Sequence, residues 1–102
     1  TVRREFLHTD DLAEAVLFLM GNYDDPDIIN VGCGQDQTIK ELAETIQKVV
    51  GFSGRLEFDT SRPDGTPQKI LDISKINTLG WKPSILLKDG LEQVYQWYAA
   101  QD

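Results

Sequence analysis

A chain of 102 residues with 40% hydrophobic and 26% charged residues has the make-up of one small soluble globular domain, not of a disordered segment. Its formal net charge of -7 argues against non-specific binding to nucleic acid or to an anionic membrane, so an anionic ligand must be met by a local cationic patch. The single cysteine, Cys33, allows no internal disulfide and suits a reducing cytoplasm, and no run approaches the ~18 apolar residues of a membrane span.

The sequence opens on Thr1, without a signal peptide, and enters a strand-like segment within a few residues, the start expected of a piece of something longer. Residues 4–8 alternate as a short strand, with Arg4, Phe6 and His8 on one face and Glu5 and Leu7 on the other. Thr9, Asp10 and Asp11 begin a helix. Its apolar face is expected at Leu12, Ala15, Val16 and Leu19, and Gly21-Asn22 closes it. The loop Asp24-Asp25-Pro26-Asp27 leads to residues 28–31, which read as a buried strand.

Thr38 and Glu41 have capping-box spacing. Behind them Ile39, Leu42, Ala43, Ile46, Val49 and Val50 form an apolar stripe that ends at Gly51. Residues 55–59 alternate as a strand, and residues 69–72 form a short extended piece after a loop rich in proline and glycine. A brief helix over Ser74–Leu79 stops at Gly80, Trp81 plugs the core behind it, and Pro83 breaks the chain. A last helix carries Leu87, Leu91, Val94 and Tyr98 on one face. Strands alternating with helices predict an α/β fold with a small, mostly parallel sheet, and no linker divides residues 1–102.

The loop over residues 61–69 carries the chemistry. Pro63 and Pro67 preset their backbone angles, and Gly65 permits a conformation other residues resist. Asp64 can accept paired hydrogen bonds from a diol, while Arg62 and Lys69 can meet phosphate oxygens. That inventory suits a nucleotide-sugar, and equally a solvated turn. Arg4, with Arg3 before it, is a cationic strand end in an acidic chain, read either as an anion contact or as a solvated edge arginine.

Other motifs weigh less. Gly32-Cys33-Gly34 has the layout of a dinucleotide fingerprint, but the third glycine is Gln37 and the helix starts only after the motif. A tight turn is the reading, with no cofactor site. His8 lacks the serine, cysteine or ligand cluster that catalysis or metal binding would need, so it reads as structural. Cys33 reads as a small filler, and Asp24, Asp25 and Asp27 as a solvated loop without calcium-loop spacing. Tyr95, Trp97 and Tyr98 read as packing residues rather than a base-stacking platform.

Three segments carry a family resemblance: Arg4-Glu5-Phe6-Leu7-His8-Thr9-Asp10-Asp11-Leu12-Ala13, Ile29-Asn30-Val31-Gly32-Cys33-Gly34 and Leu79-Gly80-Trp81-Lys82-Pro83. They resemble segments of the extended short-chain dehydrogenases/reductases, the nucleotide-sugar epimerases and dehydratases. Pro63-Asp64-Gly65-Thr66-Pro67-Gln68-Lys69 is more selective and resembles the GDP-L-fucose synthases. The resemblance spans essentially the whole chain but only the last third or so of such an enzyme.

It implies a substrate-binding domain over residues 1–102 for a GDP-sugar, without the cofactor half. It also implies NADPH in the full-length enzyme, a cytoplasmic setting and a homodimer. Arg4 matches the diphosphate arginine, Asp64 a ribose contact and Lys69 a phosphate contact, with a charge expected at Arg62. The family's Tyr-x-x-x-Lys pair has no counterpart, since Tyr23, Tyr95 and Tyr98 are followed four residues on by Asp27, Ala99 and Asp102. No catalytic, cofactor-binding or metal-binding residue is assigned, and the chain alone is expected to be inactive.

Overall fold

A computed structural model describes residues 2–61 and 65–101. In chain order these form β1 (Arg3–Glu5), α1 (Thr9–Asn22), β2 (Asp36–Thr38), α2 (Ile39–Val50), β3 (Gln68–Lys69), α3 (Ser74–Leu79) and α4 (Leu87–Ala99). The α/β class is as expected.

The sheet departs from the sequence reading in its pairing. β1 lies between β2 and β3 and pairs antiparallel with β2, from Arg3↔Thr38 to Glu5↔Asp36. It pairs parallel only with the two-residue β3, through Arg3↔Gln68 and Arg4↔Lys69. The sheet is therefore mixed rather than mostly parallel. Residues 28–31, expected to be a buried strand, form no strand; Ile29 and Val31 lean on the core while Ile28 is 90% exposed. Residues 55–59 also form no strand. An apolar pattern supplies a face, but a strand also needs a ladder with a partner edge, and neither segment forms one among the described residues.

Local signals hold better in the helices. Thr38 Oγ1 accepts from the Glu41 amide at 3.0 Å, and Glu41 Oε1 accepts from the Thr38 amide at 2.8 Å, completing the capping box. α2 ends where Gly51 turns left-handed, φ 73°. His8 caps α1, its Nδ1 accepting from the Asp10 amide at 3.0 Å.

The core is small: Ala15, Ile73, Ile76 and Trp81, with Leu7, Phe18, Leu19, Ile29 and Val31 packed against it. Trp81 plugs it as expected, and its indole N–H donates to Glu14 Oε1 at 3.1 Å. The buried line of α1 runs through Asp11 and Ala15 towards Phe18 and Leu19, leaving Leu12 and Val16 about half exposed. That shift has an identifiable cause. Asp11, 1% exposed, accepts from the Ser84 amide and hydroxyl (both 3.2 Å) and the Ile85 amide (3.0 Å), which turns its side of α1 inward. On α4, Gly90 is the buried residue and lies against His8, while Val94 and Tyr98 of the expected face remain exposed.

Candidate functional site

β1 separates two kinds of chemistry by its alternation. Consecutive strand side chains point to opposite faces, so Arg4 shares a face with its register partners Gln37 and Lys69. Arg3 and Glu5 lie on the other face with Thr38, Asp36 and Gln68.

On the first face, Arg4 and Lys69 stand beside each other. An open cleft of about 480 Å³ is lined by Arg4, Glu5, Lys69, Ile70 and Leu71. Arg4 is half-buried and its Nη1 donates to the Arg3 carbonyl at 2.7 Å, while Lys69 is exposed. Among the described residues no carboxylate forms an ion pair with either. Two cations at neighbouring sheet positions repel each other, and an anion lying between them removes that cost.

The opposite face holds the strands in place. Arg3 Nε donates to Asp36 Oδ1 at 3.1 Å, and Gln68 Nε2 donates to Asp36 Oδ2 at 2.7 Å. The Gln68 hydrogen bond, followed by that from Arg3, holds the Asp36 carboxyl below the usual carboxylate range. Glu5 Oε2 accepts from the Gly34 amide at 2.5 Å and Glu5 Oε1 from the Leu71 amide at 3.1 Å, which ties the chain on both flanks to β1.

That glutamate also explains the Gly32-Cys33-Gly34 turn. A Cβ at Gly32 would sit 2.7 Å from Glu5 Oε2, and Gly34, at φ 73°, would bring one to 2.9 Å from Ile73 Cδ1. The Glu5 carboxylate thus accepts from an amide of this turn, the kind of group that a dinucleotide fingerprint offers to a pyrophosphate.

Of the four residues singled out from sequence, Arg4 and Lys69 are brought together; Arg62 and Asp64 lie outside the described residues. The loop next to them keeps its turn chemistry. Ser61 donates from its amide (2.9 Å) and hydroxyl (2.5 Å) to Asp59 Oδ1, which holds the Asp59 carboxyl low, and Gly65 has φ 79°. His8 caps α1, and its side chain is about nine-tenths buried against Gly90. Tyr23 meets Lys75 in space at 2.7 Å, but that hydroxyl donates to the Asp27 carbonyl and serves its own loop. Sequence reasoning missed Glu5, Asp36 and Gln68 as the residues that hold the strands behind the site, and only the alternation of residues 4–8 hinted at Glu5.

Residues 1–32 match the NAD dependent epimerase/dehydratase family. The chain is 58% identical over 95 residues to the probable GDP-L-fucose synthase 1 of Oryza sativa subsp. japonica, covering 93% of this chain and 29% of the relative. It is 49% identical over 107 residues to the GDP-L-fucose synthase of Escherichia coli (strain K12), covering 96% and 33%. The chain is related to the GDP-L-fucose synthases. Among solved structures, a GDP-mannoheptose C4 reductase from Campylobacter jejuni with NADP bound superposes with a TM-score of 0.87 at 47% identity, covering 97% of this chain and 32% of the other. The chain thus spans about a third of the length of its relatives. Among the described residues, no helix is long and apolar enough to cross a membrane.

Proposed function

We propose that residues 1–102 are the substrate-binding portion of a GDP-L-fucose synthase, an enzyme converting GDP-4-keto-6-deoxy-D-mannose to GDP-L-fucose by epimerisation and NADPH-dependent reduction. The observation that carries this reading is the Arg4–Lys69 pair. Two cations without a carboxylate partner among the described residues share one face of the sheet and line one cleft. Relatives that act on GDP-sugars supply the ligand class.

In this reading Arg4 and Lys69 take the diphosphate oxygens, Asp64 takes the ribose and Arg62 adds a charge to the nucleotide contact. Hydrogen bonds to charged groups contribute about 1.5–3 kcal/mol each. NADPH, when bound to the full-length enzyme, supplies the hydride; its site is placed outside residues 1–102. The full-length enzyme is proposed to be a cytoplasmic homodimer.

Arg4→Ala in the full-length enzyme tests the assignment. The KM for the GDP-sugar should rise roughly tenfold or more while the KM for NADPH holds. An unchanged sugar KM removes Arg4 from the site. A second reading, a substrate domain for another nucleotide-sugar, rests on the three motifs that the wider family shares. Calorimetry with GDP, UDP and dTDP separates them, since preference for a pyrimidine nucleotide ends the fucose reading.

A further inference from the structure

β3 is two residues long and joins the sheet by one parallel pairing, yet it delivers Lys69 to the side of Arg4. So short a strand does not hold its own register. A one-residue slip would turn Lys69 to the opposite face and away from Arg4. A ladder this short needs support from outside it to keep Lys69 on the face of Arg4.

The Arg3 amide donates to the Pro67 carbonyl at 2.8 Å, a ladder bond that favours this register, and Glu5 Oε1 accepts from the Leu71 amide at 3.1 Å just beyond β3. A side-chain contact that adds to them is made by the neighbour of Lys69. Gln68 Nε2 donates to Asp36 Oδ2 at 2.7 Å, while Asp36 Oδ1 accepts from Arg3 Nε at 3.1 Å. One carboxylate on β2 therefore holds a residue from each of the other two strands. Its side chain is only 10% exposed, so the bonds are partly shielded from competing water. Holding Gln68 on this face commits Lys69 to the other.

We infer that Asp36 is a positioning residue for GDP-sugar binding: through Gln68 it fixes the register of β3 and so sets Lys69 beside Arg4. This rests on the reading of the Arg4–Lys69 cleft as the diphosphate site. The two donors also keep the Asp36 carboxyl below its usual range, which leaves it ionised and able to hold both partners at neutral pH. Asp36 touches no substrate in this arrangement; it acts through Lys69.

The test is a double-mutant cycle in the full-length enzyme, with Asp36→Ala, Gln68→Ala, Lys69→Ala and the Asp36→Ala/Lys69→Ala pair. Lys69→Ala should raise the GDP-sugar KM roughly tenfold. Asp36→Ala and Gln68→Ala should each raise it roughly three- to tenfold, with kcat and the NADPH KM within about twofold of wild type. The double variant should be no worse than Lys69→Ala alone, because an arm that only positions Lys69 has nothing left to position. Gln68 is exposed, so its variant carries the test even where Asp36→Ala fails to fold.

Two outcomes overturn the inference while leaving the site standing. In one, Lys69→Ala raises KM but Gln68→Ala and Asp36→Ala do not. In the other, the double variant shows the product of the two single effects. A wild-type KM in Lys69→Ala removes the diphosphate site itself, and this inference with it.

Discussion

Arg4 and Lys69 are register partners in the parallel pairing of β1 with β3, two cations on one sheet face of a chain whose formal net charge is -7. Their closeness is costly without an anion, and the surrounding acidic field makes the patch local. Binding that depends on such a patch should weaken with salt. Raising ionic strength from about 0.02 M to about 0.5 M should raise the sugar KM of the full-length enzyme several-fold. The Arg4→Ala/Lys69→Ala variant should show a much flatter response. Equal salt dependence in the two proteins would mean that the cations do not meet the substrate.

Asp11 is a buried carboxylate whose three donors all come from Ser84 and Ile85, just ahead of α4. Asp11→Ala leaves two backbone amides without their acceptor and should cost about 1.5–3 kcal/mol of stability. Asp11→Asn keeps an acceptor oxygen and should cost less. Denaturant titration of the three proteins measures the order, and an Asn variant as unstable as the Ala variant would contradict it.

The capping box sets a pH dependence. The Thr38 amide, then its hydroxyl, holds the Glu41 carboxyl below its ordinary value of 4.5. A group lowered in the folded state contributes stability above its ordinary pKa and loses it as pH falls through the lowered value. Wild type should therefore exceed Glu41→Gln in stability at pH 7, and the two should converge as pH falls through that lowered value. Thr38→Ala should cost about 1 kcal/mol at neutral pH. Unfolding midpoints measured from pH 7 to pH 3 check both, and a gap that widens in acid would reverse the assignment.

Two left-handed glycines should respond differently to alanine. Gly51 and Gly34 both have φ 73°, but a Cβ at Gly51 meets nothing within 4 Å, whereas at Gly34 it lies 2.9 Å from Ile73 Cδ1. Gly51→Ala should cost about 1 kcal/mol for the backbone alone. Gly34→Ala adds the displacement of Ile73, a core residue, and should cost more by about 1–3 kcal/mol. Equal unfolding free energies would show that the turn relaxes freely.

The parts legible in the sequence are those governed by neighbours along the chain. The Thr38–Glu41 capping box, the Gly51 stop, the short helix ended by Gly80 and the Trp81 plug all depend on side chains a few residues apart. Where the decision lay between distant segments, the sequence reading failed in particular ways. Residues 28–31 and 55–59 have strand patterns but form no strand. α1 carries apolar residues on several sides, so its pattern did not reveal that Asp11 is buried, with Leu12 left half exposed.

For the candidate site the division is similar. The sequence alone identified Arg4 and Lys69 as anion-binding types and narrowed the ligand class through the proline-glycine loop before Lys69. Only the tertiary structure decided that these two share one face, because 65 peptide bonds separate them and a parallel register brings them together. It also decided that Glu5 fills the Gly32–Gly34 turn and that Asp36 joins three strands. Those roles come from strand pairing, where one residue of register selects the face every side chain takes.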